Sequence, residues 1–220
     1  MYKACIFDLD GTLTDTLESL TYSVNATLRE LGLEKITPEQ CESFVGHGAR
    51  RLIEDSIKAG GGNPETCIEK GMEVYGRIFK ENCTYKVKPY DGIVELLLQL
   101  QETNVKLAVL SNKPHLQTKD VVKTFFDEGT FLCVQGQQEG VPRKPDPTGV
   151  YQVLEQLGVS KEECLYIGDS DVDMDTGKAA GVDTIGVSWG FREKEVLAAH
   201  QATYIVDRPE EIISIVKGAE

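Results

Sequence analysis

The chain has 220 residues, 40% of them hydrophobic and 27% charged, and a formal net charge of −13. That suits one large α/β domain, or a core with a smaller insert, and excludes a partner bound through a nucleic-acid backbone. A negative chain offers no general attraction to a phosphorylated metabolite either, so a phosphate site has to be local, made of a metal, a lysine and backbone amides.

Ala4 to Leu9 is a short apolar run interrupted by Asp8, the pattern of a strand buried on both faces. From about Asp15 to Tyr85 no strand-like run occurs. Leu17, Leu20, Val24, Leu28 and Leu31 form a helical stripe, with Asp15 and Glu18 in capping-box spacing and Gly32 as its stop. Thr37-Pro38-Glu39-Gln40 starts a second helix. A third covers Ala49–Ala59 and halts at Gly60-Gly61-Gly62; a fourth starts at Asn63-Pro64 and runs to about Lys80. Four helices directly after a first strand predict a separate lobe over 15–85, inserted in a core of 1–14 and 86–220. Beyond it, Ile93, Leu96, Leu97 and Leu100 share one helix face. Val105–Leu110, Phe131–Val134, Cys164–Ile167, Thr184–Val187 and Tyr204–Val206 read as further strands. Asp146-Pro147 reads as an N-cap with proline at the first helical position, opening Thr148–Leu157. The alternation predicts an α/β fold with a doubly wound, mostly parallel, Rossmann-like sheet.

The chemistry gathers at predicted strand ends. Asp8 and Asp10 are two apart, so on a strand they point to the same side, at the edge where open α/β sheets bind ligands. Two carboxylates so close repel, which calls for a cation or a shared proton between them. Asp169, with Asp171 and Asp173 behind it, follows the end of Cys164–Gly168 and brings more acid to that edge. An acidic loop capping the next helix accounts for one or two of these acids, but not for their placement opposite Asp8. An all-oxygen set from Asp8, Asp10 and Asp169 suits Mg²⁺, which keeps several waters and takes substrate phosphate as a ligand. Ser111-Asn112 follows Val105–Leu110, and Lys144 stands before a proline that keeps its segment extended. A phosphoryl group needs such a hydroxyl and such a fixed positive charge.

In this order, Asp8-Leu9-Asp10-Gly11-Thr12, Ser111-Asn112, Lys144-Pro145 and Gly168-Asp169-Ser170-Asp171-Val172-Asp173 resemble the motifs of the haloacid dehalogenase superfamily over essentially the whole chain. The helical insert resembles its C1 cap, and Phe44-Val45-Gly46-His47-Gly48 looks most like the phosphoglycolate phosphatase group. The resemblance implies a Mg²⁺-dependent phosphatase acting on a small phosphorylated metabolite. Asp8 is then nucleophile and metal ligand. Asp10 is general acid, then base, and touches the metal through its backbone carbonyl. Thr12, Ser111 and Asn112 belong with the substrate, and Lys144 orients Asp8 and the phosphate. Asp169 is a metal ligand and Asp173 supports the metal site. A β-phosphoglucomutase-like phosphomutase, or a pyrophosphatase or nucleotidase of the same family, has the same motifs. A receiver-type signalling domain also gathers acids and Mg²⁺ at a sheet edge, but it is shorter and lacks a helical insert.

Gly46-His47-Gly48-Ala49-Arg50 lacks the third glycine and the preceding strand of a dinucleotide loop. It reads either as a helix start closing over the site, where Gly46, His47 and Arg50 meet the non-phosphate end of the substrate, or as a solvent-facing loop. Trp189 either lines the pocket or packs beneath the insert. No two of the six cysteines lie within four residues of each other, which argues against a zinc ribbon or a CxxC redox motif. Reduced thiols, no secretory signal and no membrane-length apolar run lead us to expect a cytoplasmic protein, without membrane partner, acting as a monomer or weak homodimer.

Overall fold

The computed structural model describes residues 1–218. In chain order the strands are β1 (Ala4–Phe7), β2 (Thr14–Asp15), β3 (Lys88–Pro89), β4 (Lys106–Pro114), β5 (Cys133–Gln137), β6 (Cys164–Gly168), β7 (Asp183–Val187) and β8 (Tyr204–Val206). Between β2 and β3 lie α1 (Leu17–Glu30), α2 (Pro38–Phe44), α3 (Ala49–Ala59) and α4 (Pro64–Asn82). The later strands alternate with α5 (Ile93–Glu102), α6 (His115–Phe125), α7 (Thr148–Leu157), α8 (Asp171–Ala180), α9 (Lys194–Ala199) and α10 (Glu210–Lys217).

The main sheet has the order β5-β4-β1-β6-β7-β8, and every pair in it is parallel. This is the doubly wound α/β fold that the alternation predicts. β1 sits between β4 and β6, which explains a strand with no polar face: all four residues are buried. The winding reverses around β1, so the crevice at the C-terminal strand ends opens there. Register aligns the ends, with Phe7 opposite both Val109 and Ile167. The residues that follow β1 and β6, and the distal half of β4, therefore reach one place.

The helical insert leaves and rejoins the core side by side. β2 and β3 pair antiparallel, Thr14 with Pro89 and Asp15 with Lys88. A pairing of two residues carries no periodicity, so it was not readable beforehand. The insert also shares its apolar core with the sheet: one buried cluster runs from Phe7, Leu9 and Leu13 through Leu20 to Tyr75 and Phe79.

Several boundaries differ from the sequence reading. At α1, Glu18 does not complete a capping box; Asp15 Oδ1 accepts from Leu17 N at 3.3 Å, while Glu18 pairs with Lys86 at 2.6 Å, which ties the helix start to the returning chain. At α7, Pro147 is the cap residue rather than the first helical one, and Asp146 Oδ1 accepts from Thr148 N at 2.9 Å. The second helix starts where the sequence places it, with Thr37 as its cap and Gln40 completing a capping box. β4 continues through Ser111 and Asn112 instead of ending before them, with a register shift against β5 beyond Leu110.

Candidate active site

Asp8 follows β1 and is 8% exposed. Its backbone N–H donates to Ile167 O at 2.9 Å, which extends the β1–β6 ladder one step and holds the carboxyl at the sheet edge. Lys144 Nζ lies 2.9 Å from Asp8 Oδ1 and 2.7 Å from Asp173 Oδ1. The lysine is buried, so these two acids are its counter-charges. Asp173 closes a capping box with Ser170 at the start of α8, accepting from Ser170 N at 3.1 Å and Ser170 Oγ at 2.6 Å. The capping reading and the site reading therefore both hold for this residue: one carboxyl caps the helix and anchors the lysine.

Asp169 follows β6 and is 2% exposed. Oδ1 accepts from Thr12 Oγ1 at 3.0 Å and Oδ2 from Phe191 N at 2.8 Å. Thr12 thus holds Asp169 and does not line the cavity. Gly11 makes this approach possible. Its φ is +84°, and a Cβ there would fall 2.3 Å from Asp169 Oδ2. Trp189 Nε1 donates to Thr12 O at 3.0 Å and lines a different cleft, beside Asp15 and Tyr90; it braces the turn from behind.

Asp8, Asp169 and Asp173 each offer a carboxylate oxygen, all within 4.8 Å of one another. Burial, with the charges of Asp173 and Asp10 behind it, pushes the Asp8 carboxyl up to about 6 against the pull of Lys144. Burial raises Asp169 well above the usual carboxylate range, helped by Asp173 and Asp8. On Lys144 burial acts downward, but Asp173 and Asp8 outweigh it and the ammonium is held above its ordinary value. Three closely spaced carboxyls around one ammonium form a site short of positive charge.

Asp10 stands on the cavity wall next to Asp8, with Oδ1 2.7 Å from Lys113 Nζ. Ser111 lines the same cavity, and its Oγ accepts from Lys113 N at 3.3 Å, leaving the hydroxyl proton free to donate. Asn112 is brought to the site, but its side chain is occupied. Nδ2 donates to Gly46 O at 2.9 Å and Lys144 O at 3.0 Å, and Oδ1 accepts from Lys144 N at 2.9 Å. It ties β4, the Lys144 segment and the insert together.

These features coincide with a family pattern: that of the haloacid dehalogenase-like hydrolases matches residues 5–187. The chain belongs to that family. It is a phosphatase of the haloacid dehalogenase superfamily, similar to the phosphoglycolate phosphatases. It is 32% identical over 213 residues to a phosphoglycolate phosphatase of Aquifex aeolicus, covering 97% of this chain and 96% of the relative. It is 29% identical over 218 residues to an N-acetylmuramic acid 6-phosphate phosphatase of Pseudomonas aeruginosa, covering 99% and 96%. A crystal structure from Lactobacillus delbrueckii subsp. bulgaricus, provisionally named a phosphoglycolate phosphatase, superposes with a TM-score of 0.89 at 34% identity over 98% of both chains.

The insert of this haloacid dehalogenase-like phosphatase closes the cavity with Leu20, Val45, Gly46, Ala49, Leu52, Tyr75 and Phe79. Gly46 reaches it; His47 and Arg50 do not. Ala49 and Leu52, three apart on α3, face inward, and Arg50 sits one step round the helix, paired with Glu69 at 3.0 Å. His47 and Arg50 line a separate surface depression with Arg51, Glu54 and Arg143.

Three residues were not foreseen: Lys113, Phe191 and Arg192. Lys113 was within reach, because it is two beyond Ser111 on one strand. Arg192 had no local signal. It lies in the loop after β7 and donates to Glu42 O at 3.1 Å, Val45 O at 2.7 Å and Ser43 O at 3.4 Å, carbonyls at the end of α2, where the helix itself leaves acceptors to be met. With Asn112 on Gly46 O, and Arg143 on His47 O at 3.1 Å, the core grips the insert's loop by consecutive carbonyls. Charge-assisted bonds to carbonyls are worth about 1.5–3 kcal/mol. Arg192→Ala is expected to cut kcat/KM about 10- to 100-fold, mainly through KM, in steady-state kinetics. Arg51→Ala, which removes an exposed pair with Asp55, serves as the control and is expected to change it less than threefold.

Proposed function

We propose that the chain hydrolyses a small phosphomonoester, of the size and charge of phosphoglycolate, through an aspartyl-phosphate on Asp8 and with Mg²⁺ as cofactor. The observation that carries this reading is the placement of Asp8: a carboxyl on the cavity wall, next to one ammonium and two further carboxyls.

The residues suit a divalent cation. Asp8, Asp10, Asp169 and Asp173 face only the ammonium groups of Lys113 and Lys144, and the upward push on Asp8 and Asp169 is what a cation between them would relieve. Asp8 Oδ1 is buried, with the Lys144 ammonium at 2.9 Å and no further polar partner. All available donors are oxygens, which favours Mg²⁺. Asp8 and Asp169 would hold the ion, with Asp173 behind them and the Asp10 carbonyl beside them. Bound there, it offsets the charge of the incoming phosphate.

The chain's own groups supply the rest. The Asp8 carboxylate attacks phosphorus while the bond from phosphorus to the leaving oxygen breaks. Asp10 gives that oxygen its proton. Lys144 keeps Asp8 oriented, and the Ser111 hydroxyl donates to a phosphoryl oxygen. Water then attacks phosphorus, Asp10 takes its proton, and the bond to Asp8 breaks, releasing inorganic phosphate. Residues 15–85 act as a cap that selects the leaving group and keeps out water.

The test is phosphate release from phosphoglycolate, N-acetylmuramic acid 6-phosphate, pyrophosphate and hexose phosphates, with Mg²⁺ and with chelator. We expect Mg²⁺-dependent release, greatest on phosphoglycolate. Isomerisation of a hexose phosphate without phosphate release would replace this reading with a phosphomutase.

A further inference from the structure

The cavity walls carry three cations, Lys113, Lys144 and Arg192. Two are fully engaged. Lys144 is locked between Asp8 and Asp173. Arg192 spends its Nη groups on the carbonyls of Glu42, Ser43, Val45 and Phe191, and its Nε lies 3.6 Å from Asp171. The insert adds no charged side chain to the lining.

Lys113 differs from both. Its side chain is 1% exposed, and its ammonium has one anionic partner, Asp10 Oδ1 at 2.7 Å. Its other close neighbour is the Phe79 ring of the insert, 4.8 Å from ring centroid to Nζ. A lysine has three donors. One meets Asp10, and a ring face takes no conventional hydrogen bond. Lys113 therefore keeps donor capacity at the junction of proton donor, insert and cavity, where the leaving group of a phosphomonoester must lie.

We infer that Lys113 is the specificity residue for a leaving group that carries a second anion, a carboxylate or a further phosphate close to the scissile oxygen. This rests on the phosphatase reading above and names its substrate class. An uncharged leaving group gains nothing from the free donor. An anionic one meets Lys113 and no other available cation on the cavity wall. The apolar walls of Leu20, Leu52, Tyr75 and Phe79 lower the local dielectric and strengthen that contact.

The experiment compares phosphoglycolate, pyrophosphate and 2-hydroxyethyl phosphate, the last matching phosphoglycolate in length without its carboxylate. Wild type is expected to favour the two doubly anionic substrates, or one of them, by about 10- to 100-fold in kcat/KM, the range of one charge-assisted bond. Lys113→Met also disturbs Asp10, so both rates fall; the ratio is what is read, and it is expected to collapse to within about threefold of unity. Lys113→Arg, which keeps the charge, is expected to retain most of the preference. A Lys113→Met enzyme that loses rate equally on all three compounds overturns the inference and leaves Lys113 a positioning residue for Asp10. A wild type without preference overturns it as well, while the phosphatase reading stands. A wild type that hydrolyses none of them, while releasing phosphate from N-acetylmuramic acid 6-phosphate or a hexose phosphate, overturns the phosphoglycolate-like substrate reading instead. Binding then still decides: a thermal shift with phosphoglycolate but not 2-hydroxyethyl phosphate, lost in Lys113→Met, supports the inference, and equal shifts refute it.

Discussion

Asp8→Asn is expected to abolish phosphate release, with a loss on the order of 10⁴-fold or more, as when a nucleophile is removed. A carboxylate attacks without a base to activate it, whereas an amide of the same shape does not. The substitution should also leave the fold intact, and in metal-free protein it should stabilise it. The Asp8 carboxyl is pushed up to about 6 by burial even with Lys144 beside it, above its ordinary 3.8. Its folded pKa is raised, so the folded state holds a proton that the unfolded chain has lost between those values. Stability conferred by the neutral form is present at low pH and lost as pH rises through about 6. Asparagine keeps the neutral shape at every pH. With chelator present, Asp8→Asn should therefore melt above wild type at pH 7.5, by a margin on the order of 2–3 kcal/mol, and match it at pH 4. Thermal unfolding at the two pH values checks this beside the assay. Turnover within tenfold of wild type would end the covalent mechanism; a lower melting point at pH 7.5 would show that Asp8 is not under strain.

Much of this arrangement was legible beforehand because it depends on local pattern. The apolar runs at Ala4–Phe7 and Cys164–Gly168 mark strands covered on both sides, and the acids directly after them must stand at one sheet edge. Gly11 reads as a turn from composition alone, though its reason is long-range: a Cβ would strike Asp169. What could not be read is phase and distance. α3 has the limits the sequence predicts, yet nothing within Ala49–Ala59 says which side of it meets the cavity, so the sequence leaves Arg50 open between a substrate contact and a solvent-facing position, and the structure places it outward. The amide of Asn112 had a phosphate role in the sequence reading. Its side chain is engaged by Gly46 and Lys144, 66 and 32 residues away. Arg192 reaches carbonyls about 150 residues back in the chain. Such contacts depend on how the insert sits over the sheet, which no local periodicity encodes.

Replacing Lys144 by Met tests the same electrostatics from the other side. The substitution keeps the length of the stem and removes the only ammonium between Asp8 and Asp173. Breaking a buried pair by removing one partner costs about 3–5 kcal/mol, because the remaining charge stays buried without compensation. The lysine's contribution has a definite sign. Its folded pKa lies above the ordinary 10.5, so its stabilisation is fully present below that value and is lost only as pH rises through the folded one. Across the range where the enzyme is assayed, wild type keeps all of it. In Lys144→Met, Asp8 loses its one strong downward influence and rises beyond about 6. The penalty for ionising it then grows with pH instead of levelling off. The difference in unfolding free energy between wild type and Lys144→Met, measured by urea denaturation with chelator, should be smallest near pH 5, where Asp8 is neutral in both and only the pair with Asp173 is lost. It should widen to several kcal/mol by pH 8. Activity at pH 8 should fall about 10³-fold, comparable to the loss of a preorganised group in an acyl-transfer site. Added Mg²⁺ should recover part of the stability, since it supplies positive charge to the same carboxylates, and little of the activity, since it cannot orient Asp8. A stability gap that stays constant from pH 5 to pH 8 would mean that Lys144 acts through Asp173 and packing, and not through the charge of Asp8.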